Sequence, residues 1–343
     1  MLKGIDEPKV TAWLAANCPG LTAPLQFELI TGGHSNLTYK VTDANGRRWV
    51  LRRPPLGSVL ATAHDMGREH RIITALGPTA VPVPPTVGLC RDESVNEAPF
   101  YVMEFVDGWV LDTADVVARA LPAAAERARL GAAIIDALAA LHTLDPDAVG
   151  LGDLGRKEAY LDRQLSRWRT QWEKSKTREL ASMDETYQLL LAAKPEQKYT
   201  GIVHGDYRLG NMLATADGRL AAVLDWELCT LGDTMADLGY IMNNWAPPGE
   251  PGPGEAVQMP TTAGGFPSRE EFLAAYSAKT GRSVEHIDYY RAFQWWRLAA
   301  IVEGVLSRYM KGVMGEAGVD LSVFQHQVDR MAEDALAMIR RIA

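Results

Sequence analysis

Asp206 and Asn211 lie five residues apart in the stretch His204-Gly-Asp-Tyr-Arg-Leu-Gly-Asn211, and a second carboxylate follows in Val223-Leu-Asp225-Trp-Glu227. These residue types, in this order, suit phosphoryl transfer. That reaction needs a carboxylate to orient and deprotonate an attacking hydroxyl, and an amide and a carboxylate to hold Mg²⁺ against phosphates. Asp206 is the candidate base, and Asn211 and Asp225 are candidate metal ligands with the oxygen donors a hard cation takes. His204 is assigned to loop architecture. Trp226 and Glu227 are given no chemistry. The competing account is a set of capped turns before ordinary strands. The order of the polar residues between the apolar runs 200–203, 212–214 and 220–224 favours the chemistry.

The elements that must position these residues change character along the chain. Residues 8–18 predict a short helix stopped by Pro19-Gly20, and Leu25–Ile30 and Leu37–Thr42 predict strands around Thr31-Gly-Gly-His-Ser-Asn36. Such a loop can lay backbone N–H groups over phosphates, although it lacks a full G-x-G-x-x-G pattern and equally fits a polar hairpin. Asn45-Gly46 predicts a tight turn into a third strand, residues 47–53, in which Val50 and Arg52 share one face and Trp49, Leu51 and Arg53 the other. On the helix predicted for residues 64–76, Glu69 begins the apolar stripe Ile72, Ile73, Leu76. A carboxylate facing inward there needs a cation, and Arg52 is the natural partner. An ordinary surface Glu near a helix start is the alternative.

Beyond residue 106 the pattern is mainly helical. Residues 114–141 are rich in Ala and Leu with a break near Pro122, and residues 156–180 carry eight basic against three acidic side chains between Arg156 and Arg178. That basic face is either solvated or a docking surface for an anionic acceptor. Residues 246–266, rich in Pro and Gly, predict a surface loop without regular structure. The aromatics Tyr289, Tyr290, Phe293, Trp295 and Trp296 predict core, with some available to line an apolar pocket.

Composition narrows the function classes. The 343 residues, 47% apolar and 23% charged, fit two lobes of an ordinary soluble protein, and the net charge of −8 argues against a nucleic-acid partner. Cys18, Cys90 and Cys229 are far apart and lack metal-ligand spacing, which predicts reduced thiols in the cytoplasm. No 18-residue apolar run predicts a membrane span.

The motifs resemble the catalytic core of the aminoglycoside phosphotransferase and choline kinase family, the small-molecule branch of the protein-kinase-like fold. In that family an HGD loop replaces HRD, and an Asp-Trp or Asp-Phe pair replaces DFG. Gly232-Asp233-Thr-Met-Ala-Asp237 is similar to the family's G-D-P-x-x-D, with Thr234 in place of Pro. The resemblance implies an α+β, two-lobed protein-kinase-like fold. A small antiparallel-sheet N-lobe (1–106) would precede a larger, mainly helical C-lobe (107–343), with ATP bound in the cleft. It implies that Gly33, His34, Ser35 and Asn36 cover the phosphates, and that Arg52, paired with Glu69, stands where a phosphate-contacting Lys usually sits. Val50 and Met103 would border the adenine, with Glu104, Phe105 and Val106 as the hinge. Arg208, at a position where protein kinases place a Lys, could stabilise charge on the transferring phosphoryl group.

The implied activity is ATP-dependent transfer of a γ-phosphoryl group to the hydroxyl of a small molecule, with GTP open as the donor. Within the family the Arg-Arg-Pro-Pro segment looks closest to kinase domains associated with acyl-CoA dehydrogenases, which makes a hydroxyacyl-CoA the leading acceptor. An aminoglycoside-type antibiotic, an amino alcohol or a sugar are the competing acceptors, and a nucleotide-binding pseudokinase is the competing class. Oligomeric state is left open.

Overall fold

The computed structural model describes residues 2–30, 36–56, 65–250, 259–312 and 320–342. The chain forms two compact units, residues 1–108 with 220–228, and residues 109–219 with 229–343.

In the first unit, β1 (Gln26–Leu29), β2 (Leu37–Thr42), β3 (Arg48–Arg53), β4 (Thr86–Cys90) and β5 (Phe100–Glu104) form one antiparallel sheet in the order β1-β2-β3-β5-β4. The turn between β2 and β3 takes its positive φ at Gly46, while Asp43 accepts the backbone N–H groups of Asn45 and Arg47. Alternation sorts the side chains. Trp49 and Leu51 pack with Phe100 and Val102 into a core that α1 (Glu7–Asn17) closes with Val10 and Leu14. Val50 and Arg52 face away from it, as period 2 requires. The helix α2 (Met66–Leu76) is capped by Asp65, whose side chain accepts from Arg68 N, and buries Glu69 together with Ile72, Ile73 and Leu76. A short α3 (Glu93–Asn96) leads into β5.

The second unit is mostly helical. β6 (Trp109–Val110) precedes α4 (Ala114–Ala120) and α5 (Ala124–Thr143), separated at Leu121-Pro122-Ala123 because proline cannot donate inside a helix. Then come α6 (Tyr160–Ser175), α7 (Ala181–Ala192), β7 (Thr200–Val203) and β8 (Met212–Ala214), the last paired with β6. The strand β9 (Leu220–Val223) belongs to the first unit, and β10 (Thr230–Asp233) pairs antiparallel with β7. Every residue of α8 (Met235–Asn243) is buried, against the long α10 (Ile287–Met310). Gly239 lets the two helices approach, since a Cβ there would lie 2.6 Å from Tyr290 Cβ. The remaining helices, α9 (Arg269–Thr280) and α11 (Leu321–Ile339), pack on α5 and α10 respectively.

The aromatic run of α10 is core: Tyr289, Tyr290, Phe293 and Trp296 are buried. Two local expectations shift. The 246–266 stretch contains a 3₁₀ turn, Pro260–Ala263, tied down where Thr261 Oγ1 donates to Ala246 O and accepts from Ala246 N, both at 2.8 Å. Part of the basic stretch 156–180 is paired with acidic neighbours. Arg169 pairs with Asp184 and Glu173, and Arg178 with Glu303 and Asp329.

Candidate active site

Nine of the sequence-predicted residues lie in the first unit, on its sheet or in the segments around it. Arg52, on β3, gathers three carboxylates: its Nε lies 3.3 Å from Glu69 Oε2, and its Nη2 lies 3.0 Å from Asp225 Oδ1 and 3.6 Å from Glu227 Oε2. Asn36 donates from Nδ2 to the same Glu227 oxygen at 3.0 Å. The β3–β5 register sets Val50 opposite Met103, both buried. Glu104 ends β5, its N–H donating to Pro85 O, while Phe105 N–H donates to Arg48 O and its ring lies under the Arg48 guanidinium. Val106 follows, half-buried. Gly33, His34 and Ser35 lie outside the described residues.

Charge density governs this cluster. Burial pushes the Glu69 carboxyl up to about 7, against the opposing pull of Arg52 and with further push from Asp225 and Glu227. Burial works against the Arg52 cation too, yet Glu69 and its companions hold its pKa above the usual guanidinium value. Arg52 Nε makes no well-directed hydrogen bond to Glu69, so proximity rather than direction holds the pair. Asp225 takes φ +65°, a left-handed conformation that Asp tolerates better than most residues. Trp226, fully buried, anchors that turn by donating from Nε1 to Val223 O at 3.1 Å.

The second unit holds Asp206, Arg208 and Asn211 together, by directed bonds. β7 delivers the chain to His204, and Gly205 turns it with φ +88°, a value that favours glycine. The backbone N–H groups of His204 and Gly205 donate to Asp237 Oδ2 (2.6 Å) and Oδ1 (2.8 Å) from α8. Although burial acts to raise it, the bonds from His142 and Gly205 N hold the Asp237 carboxyl below the usual range. His142 is itself buried, which lowers its pKa and keeps it neutral between Asp237 Oδ2 (3.3 Å) and the Tyr276 hydroxyl (2.8 Å). Asp206 N donates to His204 Nδ1 at 3.2 Å, which makes that nitrogen the acceptor and leaves the ring proton on Nε2.

On this base Asp206, Arg208 and Asn211 are held close together. Asn211, in the 3₁₀ turn Leu209–Asn211, donates from Nδ2 to both Asp206 O (2.9 Å) and Asp206 Oδ2 (2.7 Å). Spending both amide hydrogens on Asp206 fixes the flip of the amide and turns its oxygen elsewhere. Arg208 Nε lies 3.3 Å from Asp206 Oδ1. Burial raises the Tyr240 hydroxyl pKa, and the Asp206 carboxylate beside it adds to the shift.

Asp233 accepts from Met235 N at the helix start, while its second oxygen takes the Tyr290 hydroxyl at 2.6 Å. Arg297, buried on α10, donates from Nη1 and Nη2 to Gly205 O, both at 3.2 Å, and lies over the Trp168 ring.

Glu227, Tyr240, His142 and Arg297 are the members that motif spacing misses. Glu227 sits two residues beyond Asp225 and was legible as a third carboxylate. The other three required knowing which helix face meets a loop far along the chain.

Nothing among the described residues groups three or more His, Cys, Asp or Glu into a metal cage. Asn211 and Asp225 each carry oxygen donors of the kind a protein offers Mg²⁺ when phosphates and water complete its shell.

A mainly helical unit in which a buried carboxylate tethers the HGD loop with its Asp–Asn pair, and an antiparallel-sheet unit, are the two parts of a kinase-like phosphotransferase architecture. The phosphotransferase enzyme family, APH, matches residues 26–281, and the chain belongs to that family. It is similar to a solved Ralstonia eutropha protein provisionally described as an aminoglycoside phosphotransferase (34% identity, TM-score 0.83, covering 98% of this chain and 99% of that one). A ternary complex of aminoglycoside phosphotransferase APH(4)-Ia with AMP-PNP and hygromycin B shares the fold (15% identity, TM-score 0.60, covering 97% of this chain and 98% of that one). Mouse acyl-CoA dehydrogenase family member 10 is 34% identical over 301 residues, which are 86% of this chain and 28% of the relative. The chain spans less than half the length of the curated relatives it matches. No helix among the described residues is long and apolar enough to cross a membrane.

Proposed function

We propose that the protein is an ATP-dependent small-molecule kinase that transfers the γ-phosphoryl group to a hydroxyl. The observation that carries this reading is the Asp206–Asn211 pair. One carboxylate oxygen is fixed by the amide at 2.7 Å, and the other lies 3.3 Å from the Arg208 guanidinium. A carboxylate held this way can accept the proton of an acceptor hydroxyl while that oxygen forms its bond to the γ-phosphorus. The bond from phosphorus to the bridging oxygen breaks, and ADP leaves. Arg208 balances charge on the transferring group. Asn211 and Asp225 are the residues that would hold Mg²⁺, which when bound neutralises charge on the phosphate oxygens.

Arg52, positioned by Glu69, is assigned to the nucleotide phosphates together with Gly33, His34, Ser35 and Asn36. Val50, Met103 and the segment Glu104 to Val106 are assigned to the adenine. The AMP-PNP complex of APH(4)-Ia supports a nucleotide ligand. The mouse relative's description as an acyl-CoA dehydrogenase family member supports a hydroxylated acyl thioester as acceptor. Amino alcohols and aminoglycosides, the competing acceptors, call for free carboxylates. Glu250 is paired with Arg269, and Glu271 caps α9 with Ser268.

Thermal unfolding with and without Mg²⁺ and ATP or GTP, beside Asp225→Asn, tests the nucleotide assignment, because a ligand that binds only the folded chain raises its Tm. A Mg²⁺-dependent rise that Asp225→Asn weakens is expected. No rise with either nucleotide at saturation overturns it. ATP binding without transfer to any hydroxyacyl, amino-alcohol or sugar acceptor would favour a pseudokinase.

A further inference from the structure

A cavity of about 400 Å³ lies in the helical unit, bounded by the end of α8, the start of α9 and the facing sides of α10 and α11. That volume suits a small-molecule site. Asn243, Met259 and Trp295 line it and are themselves nearly buried. Four arginines, Arg269, Arg291, Arg330 and Arg341, also line it, against two carboxylates, Glu250 and Asp334. In a chain of net charge −8 this is a local reversal of sign.

The arginines are not equally committed. Arg269 is held by both Glu250 oxygens, at 2.8 and 2.5 Å. Arg291 is aimed: its Nε donates to Asn243 Oδ1 at 3.2 Å, and its Nη1 pairs with the half-exposed Asp288 at 3.2 Å. Burial, and then the adjacent Arg269 cation, lowers the Arg291 pKa, while Asp288 and Glu250 oppose the shift. Arg330 pairs with Asp334 one turn away on the surface, an interaction worth only a few tenths of a kcal/mol and readily exchanged. Arg341, exposed on the turn after α11, lines the cavity at its rim.

The cavity is close to the candidate base along two helices. Asn243 is three residues beyond Tyr240, which flanks Asp206, a rise of about 4.5 Å. Arg291 is six residues before Arg297, which grips Gly205 O, a rise of about 9 Å.

We propose that this cavity binds a phosphate-bearing end of the acceptor and so selects anionic over cationic acceptors. Planar guanidinium forks match phosphate oxygens in pairs, and Trp295 supplies an apolar wall for whatever bears the phosphate. This rests on Asp206 being the base of the reaction proposed above. Arg167 of α6, which lies over the Trp168 ring, is the other candidate for this role.

The test is calorimetric titration of coenzyme A, 3′-dephospho-coenzyme A, pantetheine and inorganic pyrophosphate into the full chain with AMP-PNP and Mg²⁺ saturating the nucleotide site. Arg291→Gln, Arg341→Gln and, on α6, Arg167→Gln are compared, with Arg291→Lys as a second variant if Arg291→Gln melts early. The phosphate-bearing probes should bind and pantetheine should not. Arg291→Gln and Arg341→Gln should each weaken binding about tenfold, with Arg167→Gln and AMP-PNP affinity unchanged. Equal affinity in wild type and both cavity variants overturns the proposal, as does binding of none of the phosphate-bearing probes. A greater loss in Arg167→Gln would transfer the site to α6. The kinase reading is judged separately, by the Mg²⁺-dependent thermal shift and its loss in Asp225→Asn, and can stand when the cavity proposal falls.

Discussion

Two polar clusters in this chain use buried carboxylates in opposite ways. Around Arg52, three carboxylates share one cation at 3.0 to 3.6 Å, and the most buried of them, Glu69, is pushed towards neutrality. Around Asp237, one carboxylate is saturated by two backbone N–H groups and a histidine, and its pKa falls. Both are desolvated. The difference is hydrogen bonding to the charged form, which outweighs burial at Asp237 and does not at Glu69. The first cluster is set by charge and can re-pair when charge changes. The second is set by direction and holds a backbone geometry.

The largest expected break is chemical. Asp206→Asn keeps the Asn211 and Arg208 surroundings but cannot accept a proton, so phosphoryl transfer should fall by about 10²–10⁴-fold with Tm nearly unchanged. A rate within a few-fold of wild type would remove Asp206 from the role of base. Breaking the directional cluster should cost stability instead. Asp237→Ala leaves two buried N–H groups without an acceptor, for a loss of about 3–5 kcal/mol in denaturant unfolding. A loss below about 1 kcal/mol would show that the loop does not depend on this tether.

The charge cluster should instead respond to pH. The folded-state pKa of Glu69, about 7, is raised above the value near 4.5 expected unfolded, so its contribution to stability is full below pH 4.5 and is lost as pH rises through 7. Glu69→Gln should therefore gain on wild type between pH 5 and pH 8, by up to about 3 kcal/mol. A constant difference across that range would mean that Glu69 stays ionised. The smallest effect belongs to the exposed rim. Asp107→Ala removes the 2.7 Å pair with Arg48 and should change unfolding by less than about 1 kcal/mol.

Much of this was legible from residues alone. The alternation in residues 47–53 separated Arg52 from Trp49 and Leu51, and the i, i+3, i+4, i+7 stripe predicted that Glu69 turns inward towards Arg52. Both are local readings, because period 2 and period 3.6 hold wherever the backbone is regular. The 156–180 basic stretch could not show all its partners: Glu303 and Asp329, which pair with Arg178, lie more than a hundred residues away.

The sequence by itself determined the types and order of the groups: a carboxylate and an amide five residues apart in a glycine-bent loop, and the strand and helix that carry Arg52 and Glu69. It could do so because those features depend on neighbours along the chain. Only the tertiary structure decided that Asp237 grips the loop by its N–H groups, that Arg297 takes the Gly205 carbonyl, and that residues 220–228 join the unit formed by residues 1–108. These pairings depend on which face of a fully buried helix meets which turn. A helix buried on every side, such as α8, shows no solvent-facing polar stripe in its sequence to reveal that face.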